Sequence, residues 1–350
     1  MSRACIGLIA VCACGLPTPA TPTAPERIAI VASERGPRGI RLVAIDEHGD
    51  RRFELVAPAT TIVQDKNPAV SPDGRWLVFA STRERTAGTS LWIAPLQLSA
   101  TPQRLTDERS AIDSHPIWAR DGRSIVFAST RDGGDFDLWQ LAIDPDGKPG
   151  AATTLTTAPG NEVTPSLAPD GTIIYASVTP IGESALDSHL EERAPDGTIR
   201  TLTSGPADSS PAFSPDGATI VFARPALHNG TAHSELWRMA RHSEHVMQLV
   251  DLPLTDESGP VWSPDGRFVF ATSALRGADG NVLFSSVVHV DLREPRARVR
   301  ILGDRAGPVA RLTPAIPTGQ LDVAALHADP EYLPELARIM AAKIAEQTER

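Results

Sequence analysis

Residues 68–74 read Pro68-Ala-Val-Ser-Pro-Asp73-Gly, and the same phrase returns along the chain. It stands as Pro116-Ile-Trp-Ala-Arg-Asp121-Gly, Pro165-Ser-Leu-Ala-Pro-Asp170-Gly, Pro211-Ala-Phe-Ser-Pro-Asp216-Gly and Pro260-Val-Trp-Ser-Pro-Asp265-Gly. The aspartates lie 48, 49, 46 and 49 residues apart. A fixed period of this size marks stacked supersecondary units, in the range of propeller blades. Ser-Pro-Asp-Gly suits a hairpin turn: proline presets φ, aspartate bonds the local backbone, and glycine accepts positive φ. Asp73, Asp121, Asp170, Asp216 and Asp265 are therefore expected as structural turn residues.

Short apolar runs follow the turns: Trp76-Leu-Val-Phe-Ala80, Ile125-Val-Phe-Ala128, Ile173-Ile-Tyr-Ala176, Ile220-Val-Phe-Ala223 and Phe268-Val-Phe-Ala271. Uninterrupted β-branched and aromatic runs suit a strand covered on both faces, as between stacked sheets. A third strand is read in Leu91-Trp-Ile-Ala, Leu138-Trp-Gln-Leu and Leu236-Trp-Arg-Met. A fourth is read in Gln103-Arg-Leu-Thr106, Thr154-Leu-Thr156, Thr201-Leu-Thr203 and Gln248-Leu-Val250. Four short strands per unit predict an all-β, six-bladed β-propeller of four-stranded antiparallel blades. Ile28-Ala-Ile-Val-Ala-Ser33 matches Trp76-Leu-Val-Phe-Ala-Ser81 at an offset of 48, so the first blade starts at its second strand. Its missing inner strand is expected from Pro308-Val-Ala-Arg311, because pairing the two ends removes an exposed edge. The alternative is seven blades, with a fragmentary seventh around Leu321-Asp-Val-Ala-Ala325.

The repeats resemble the PD40 class of WD40-like propellers, best known from the C-terminal domain of TolB, over residues 26–312. The resemblance lies in the five Pro-to-Asp-Gly anchors and is specific to the repeat, not to TolB itself. TolB carries an α/β domain before its propeller, where this chain has a tether. Related propellers precede the catalytic domain of prolyl-oligopeptidase-like enzymes. Only about 38 residues follow Leu312, and no G-x-S-x-G elbow occurs, so a serine peptidase is not expected. Oligogalacturonate lyases use similar propellers with a histidine-bound metal, and their site residues find no match here.

With 33 basic and 43 acidic residues the formal charge is −10, and the chain lacks the basic field that nucleic-acid binding needs. Its three cysteines are Cys5, Cys12 and Cys14, so no disulfide framework or cysteine zinc site is expected in the folded body. Residues 1–13 carry one positive charge and an apolar run, the shape of a secretory signal and too short to span a bilayer. The ending Val11-Cys-Ala-Cys14 resembles a bacterial lipobox, which implies lipid attachment at Cys14. An ordinary signal peptide cut near Ala20 and a misassigned start are the alternatives. Residues 14–25 alternate proline and threonine and read as an extended tether. Residues 313–350 form a C-terminal extension in which the stretch from Asp329 has a helical pattern. Leu333, Leu336, Met340 and Ile344 would form its apolar stripe, packed on the propeller or offered to a partner.

One chemical pattern recurs: three residues before each repeat proline stand Asp65, Asp113, Glu162, Asp208 and Glu257. Inner strands surround a propeller's channel, so these acids are expected as a ring near one mouth. They are either ligand-binding candidates, with a divalent cation as the conceivable occupant, or loop carboxylates bonded to local backbone. His228, His233, His242 and His245 are expected as loop histidines, and no metal site, catalytic residue or cofactor is assigned. The resulting expectation is a monomeric, non-enzymatic cell-envelope platform, without a transmembrane helix, for an unidentified protein or small ligand. Its expected location is the periplasmic face of the outer membrane. The competing reading is a channel-centred hydrolase or lyase acting on a saccharide or peptide.

Overall fold

The computed structural model describes residues 28–302, apart from 37, 47–51, 86, 109, 182–184, 229–230, 251–254, 277–281 and 293–298. The chain forms a β-propeller, and no helix occurs among the described residues. Strands β1 (Ile28–Gly36), β2 (Gly39–Asp46) and β3 (Arg52–Glu54) make an antiparallel unit. Next come β4 (Val63–Val70), β5 (Trp76–Ser81), β6 (Ser90–Pro95) and β7 (Gln103–Arg104). A four-stranded sheet follows in β8 (Asp113–Trp118), β9 (Ser124–Ser129), β10 (Asp137–Ile143) and β11 (Pro149–Thr154). Another is β12 (Asn161–Leu167), β13 (Ile173–Ile181), β14 (Ala185–Arg193) and β15 (Ile199–Thr201). The third is β16 (Ser209–Phe213), β17 (Thr219–His228), β18 (Thr231–Ala240) and β19 (Val246–Gln248). The last is β20 (Asp256–Trp262), β21 (Phe268–Arg276), β22 (Val282–Asp291) and β23 (Val299–Leu302).

The expectation of six separate four-stranded blades is corrected by the pairing. Four four-stranded blades stand in the ring, while the first two repeat units share one seven-stranded sheet. Their link is a short parallel ladder, Gly39 with Val63 and Ile40 with Gln64. Gly39 makes it possible: its φ is +104°, and a Cβ there would lie 1.9 Å from the Val63 carbonyl oxygen. Pro308–Arg311, the region around Leu321–Ala325 and the C-terminal helix all fall outside the described residues. Residues 1–13, Cys14 and the tether do so as well.

Packing completes the ring. Each apolar second strand lies between two sheets, and the fully buried Phe79, Phe127, Tyr175 and Phe222 occupy one repeat position. The first and last units meet through Ile30, Ala32, Val43 and Ile45 against Phe270 and Val287. Trp118 Nε1 donates to Ala69 O at 3.1 Å, and Trp262 Nε1 to Ala212 O at 3.1 Å, each reaching the preceding unit's inner strand. An indole that leaves its N–H on a neighbouring main chain is buried without an orphan donor.

The repeat turns form as their composition requires. Ser71 Oγ donates to Asp73 Oδ1 at 2.6 Å, Arg75 N donates to the same oxygen at 3.1 Å, and Trp76 N donates to Ser71 Oγ at 2.9 Å. Ser214 with Asp216 and Ser263 with Asp265 repeat the hydroxyl–carboxylate bond, at 2.5 and 2.6 Å. Asp121 and Asp170 lack that bond, because Ala119 and Ala168 replace the serine; both accept the amide two residues on, and Asp170 also takes Arg241 Nη1 at 2.8 Å.

The fourth strands are offset from the sequence reading. Pairing covers Pro149–Thr154, Ile199–Thr201 and Val246–Gln248, ending at the first residue of each assigned run and before the threonines that close two of them. Those threonines act otherwise: Thr106, Thr156 and Thr203 accept the amides of Leu91, Leu138 and Leu190 through Oγ1, at 2.8, 2.8 and 3.0 Å.

Candidate functional site

The inner strands β4, β8, β12, β16 and β20 surround a cavity of about 400 Å³. Its collar is built of the repeat prolines Pro68, Pro116, Pro165, Pro211 and Pro260. The residue before each proline also lines it, and each is left-handed: Asn67 (φ 51°), His115 (49°), Thr164 (51°), Ser210 (50°) and Gly259 (59°). Every one sits in a register shift of its inner strand. Left-handed backbone is costly for threonine and serine, and a residue preceding proline avoids the helical region. Five bulges at one level therefore re-aim the chain towards the cavity. The wall is mainly apolar, and the exposed Arg120 joins it where four of the five repeat turns carry proline.

The five recurrent acids do not line this cavity; they are buried behind it, with Asp65 2% exposed, Asp113 1%, and Glu162, Asp208 and Glu257 at 0%. Three are clamped by arginine. Arg83 reaches Asp65 at 2.7 Å, Arg131 reaches Asp113 at 3.1 Å, and Arg224 reaches Asp208 at 2.6 and 2.8 Å. Aromatic faces hold the clamps: Arg131 lies over Phe127 and Trp139, and Arg224 over Phe222 and Trp237. Serines of the second strand add to two of them, Ser81 Oγ on Asp65 and Ser129 Oγ on Asp113, both at 2.6 Å.

The acids also tie one sheet to the next. Leu91 N donates to Thr106 Oγ1, which donates to Asp113 Oδ2 at 2.5 Å across the seam. Thr156 repeats this relay to Glu162 at 3.2 Å, and Thr255 donates to Glu257 at 2.6 Å. Asp113 N, Glu162 N and Asp208 N donate to the carbonyls of Thr89, Phe136 and Ser188 in the preceding sheet.

Glu162 and Glu257 differ from the three aspartates. Neither has an arginine, and Glu162 Oε1 and Glu257 Oε2 are buried without a hydrogen-bond donor. Burial holds the Glu162 carboxyl up at about 8, and it pushes Glu257 well above the usual carboxylate range. Glu162 is therefore mostly a neutral acid at neutral pH. Beside Glu162, Tyr175 Oη donates to Glu191 Oε2 at 2.9 Å, and His189 Nε2 lies 3.2 Å from Glu191 Oε1. This small cluster was missed from the sequence because its members come from three strands and carry no repeat signature.

Two of the four histidines expected in loops lie in strands, His228 at the end of β17 and His233 within β18. His242 and His245 are exposed in the turn after β18, and His233 Nδ1 lies 3.8 Å from Asp256 Oδ1. Among the described residues no group of three or more ligating side chains is placed to hold a metal ion. Nor is any helix among them long and apolar enough to cross a membrane.

The repeat anchors and the ring of stacked sheets match the TolB β-propeller (PD40) model over residues 16–265. The chain belongs to the TolB β-propeller family. Its fold is similar to TolB from Acinetobacter baumannii, with 18% identity, a TM-score of 0.61 and 82% of this chain covered. The chain spans 65% of the length of that TolB. A putative TolB from Agrobacterium tumefaciens matches at 18% identity and TM-score 0.53, covering 78% of this chain and 88% of the other. An oligogalacturonate lyase in complex with manganese shares the fold at 14% identity and TM-score 0.51, covering 82% of this chain and 75% of that one. No functionally curated protein matches the chain.

Proposed function

We propose that this propeller is a non-enzymatic binding platform of the cell envelope, taking a protein or small ligand at its proline collar. The observation that carries this reading is the division of labour between cavity and seams. The recurrent acids are spent inside the wall, on arginines and hydroxyls, and do not face the cavity. What faces it is a rigid surface of prolines and bulged polar residues, suited to contact more than to proton transfer. The competing reading, a hydrolase or lyase acting on a saccharide or peptide, has the Tyr175–Glu191–His189 cluster in its favour.

A photoreactive residue at Arg120, compared with one at the exposed Met247, tests the platform in the intact envelope. Adducts at position 120 and not at 247 support it. Turnover of an oligosaccharide or peptide by the purified protein, lost in Glu191→Gln, overturns it in favour of the enzyme.

The same proposal includes export and lipid anchoring at Cys14, on the periplasmic face of the outer membrane. Its support is the Val11-Cys-Ala-Cys14 ending and the tether after it. Each buried CH₂ of an acyl chain contributes about 0.8 kcal/mol, and two chains make attachment stable. Cys14→Ser should abolish fatty-acid labelling and release the protein from membranes; unchanged labelling would refute the anchor.

A further inference from the structure

Asp137 on β10 and Glu162 on β12 belong to neighbouring sheets and meet at the seam between them. The main chain brings them there: Glu162 N donates to Phe136 O at 2.6 Å, and Phe136 N donates to Asn161 Oδ1 at 3.1 Å. Both carboxyls are buried, Asp137 at 7% exposure and Glu162 at 0%. Asp137 Oδ1 and Glu162 Oε1 each lack a donor, while the two carboxyls lie within hydrogen-bonding reach of one another. Two carboxylates this close, away from water, do not both ionise. One proton held between them turns one oxygen into a donor and gives the orphaned oxygens of the pair a partner.

We propose that Asp137 and Glu162 share a single proton, and that this proton latches sheet β8–β11 to sheet β12–β15, so that the seam loosens in alkaline solution.

The neighbouring seams show why this one is different. The residue that follows the carbonyl acceptor is Ser90 at the seam before and His189 at the seam after. There the facing acids, Asp113 and Asp208, have their own arginines. At the β10–β12 seam the corresponding residue is itself an acid, and Thr179 stands where Arg83 and Arg131 stand in the two preceding units.

The other charged groups around the pair favour keeping the proton. Glu191 on β14 and Asp132 and Asp135 before β10 are acidic. Glu191 takes the Tyr175 hydroxyl from β13 and lies beside His189. Arg193 spends Nε on the Leu155 carbonyl at 2.9 Å, not on the pair. Burial, the largest cause, raises both carboxyls, Glu162 to about 8. The unfolded chain releases these protons at ordinary carboxylate values. The stabilisation is therefore complete below the unfolded value, declines as pH rises, and is gone above about 8.

The test compares the full chain with Glu162→Gln and Asp137→Ser, the second borrowing the serine of the preceding seam. Melting temperature and residue-resolved hydrogen exchange, corrected for intrinsic rates, are followed from roughly pH 5 to pH 9. The wild type should lose melting temperature with pH more steeply than either variant. Its β12 amides should lose protection relative to β4 by up to about tenfold per pH unit as the proton leaves. Glu257 titrates alike in all three proteins, so the differences belong to the pair. Parallel pH profiles in wild type and variants, or equal loss of protection in β12 and β4, overturn the latch. If Glu162→Gln fails to fold, the same comparison with Asp137→Ser decides.

Discussion

Arg224 holds Asp208 with two hydrogen bonds, Nε to Oδ1 at 2.6 Å and Nη2 to Oδ2 at 2.8 Å, and the carboxylate is fully buried. Removing one member of a buried pair leaves the other charge uncompensated, at a cost of about 3–5 kcal/mol. Arg224→Met should therefore destabilise the propeller by that amount in urea unfolding. Arg224→Met combined with Asp208→Leu should recover much of it, and a double-mutant cycle measures the coupling.

Trp118 fills a comparable role between units without charge. Trp118→Phe keeps most of the apolar contact but leaves the Ala69 carbonyl without the indole donor it has at 3.1 Å. A loss of about 1–3 kcal/mol in a thermal or urea melt is expected. Trp262→Phe should behave alike, because its indole makes the equivalent bond to Ala212.

Gly39 permits the parallel contact that merges the first two units. An alanine there meets the Val63 carbonyl and takes an unfavourable φ of +104°. Gly39→Ala should cost more than about 1 kcal/mol. Exchange protection should fall at Ile40 and Gln64 before it falls in β16 to β19.

The turn aspartates should be unequal. Bonds from Ser71 and Arg75 lower the Asp73 carboxyl to about 2. Its stabilisation is present above the ordinary carboxylate value and is lost as pH falls towards about 2. The side chain is half exposed, so the contribution stays below about 1 kcal/mol. Asp73→Ala should flatten the acid limb of stability more than Asp121→Ala, whose turn lacks the serine hydroxyl.

Much of the fold was legible because a period needs no knowledge of contacts. Once Pro68 to Gly74 is seen to recur, the inner strand, the turn and the apolar second strand fall in register at every unit, and β1 is recognised as a second strand. The acids were legible as a pattern but misplaced in space. An inner strand was expected to point its polar residues into the channel. The bulge at the residue before proline turns the chain, so prolines face the cavity and the carboxyls face the seam. The signal for the clamps was present in Ser81-Thr-Arg83 and Ser129-Thr-Arg131, which follow two of the apolar runs at one position. It was overlooked because the partner lies across a hairpin. Asp137 could not have been paired with Glu162 from sequence, since the contact crosses two sheets and has no counterpart in charge at the neighbouring seams.

The recurrent carboxyls are buried at the seams between sheets, outside the lining of the cavity, where they lock one sheet to the next. Thermal melts of Asp113→Asn, with and without an added divalent cation, test that role most directly. Asp113 accepts bonds from Thr106, Ser129 and Arg131 while buried, so its replacement should lower stability by about 3–5 kcal/mol, with or without the cation. Near wild-type melting of the variant, together with loss of a cation-induced rise seen in the wild type, would contradict the account.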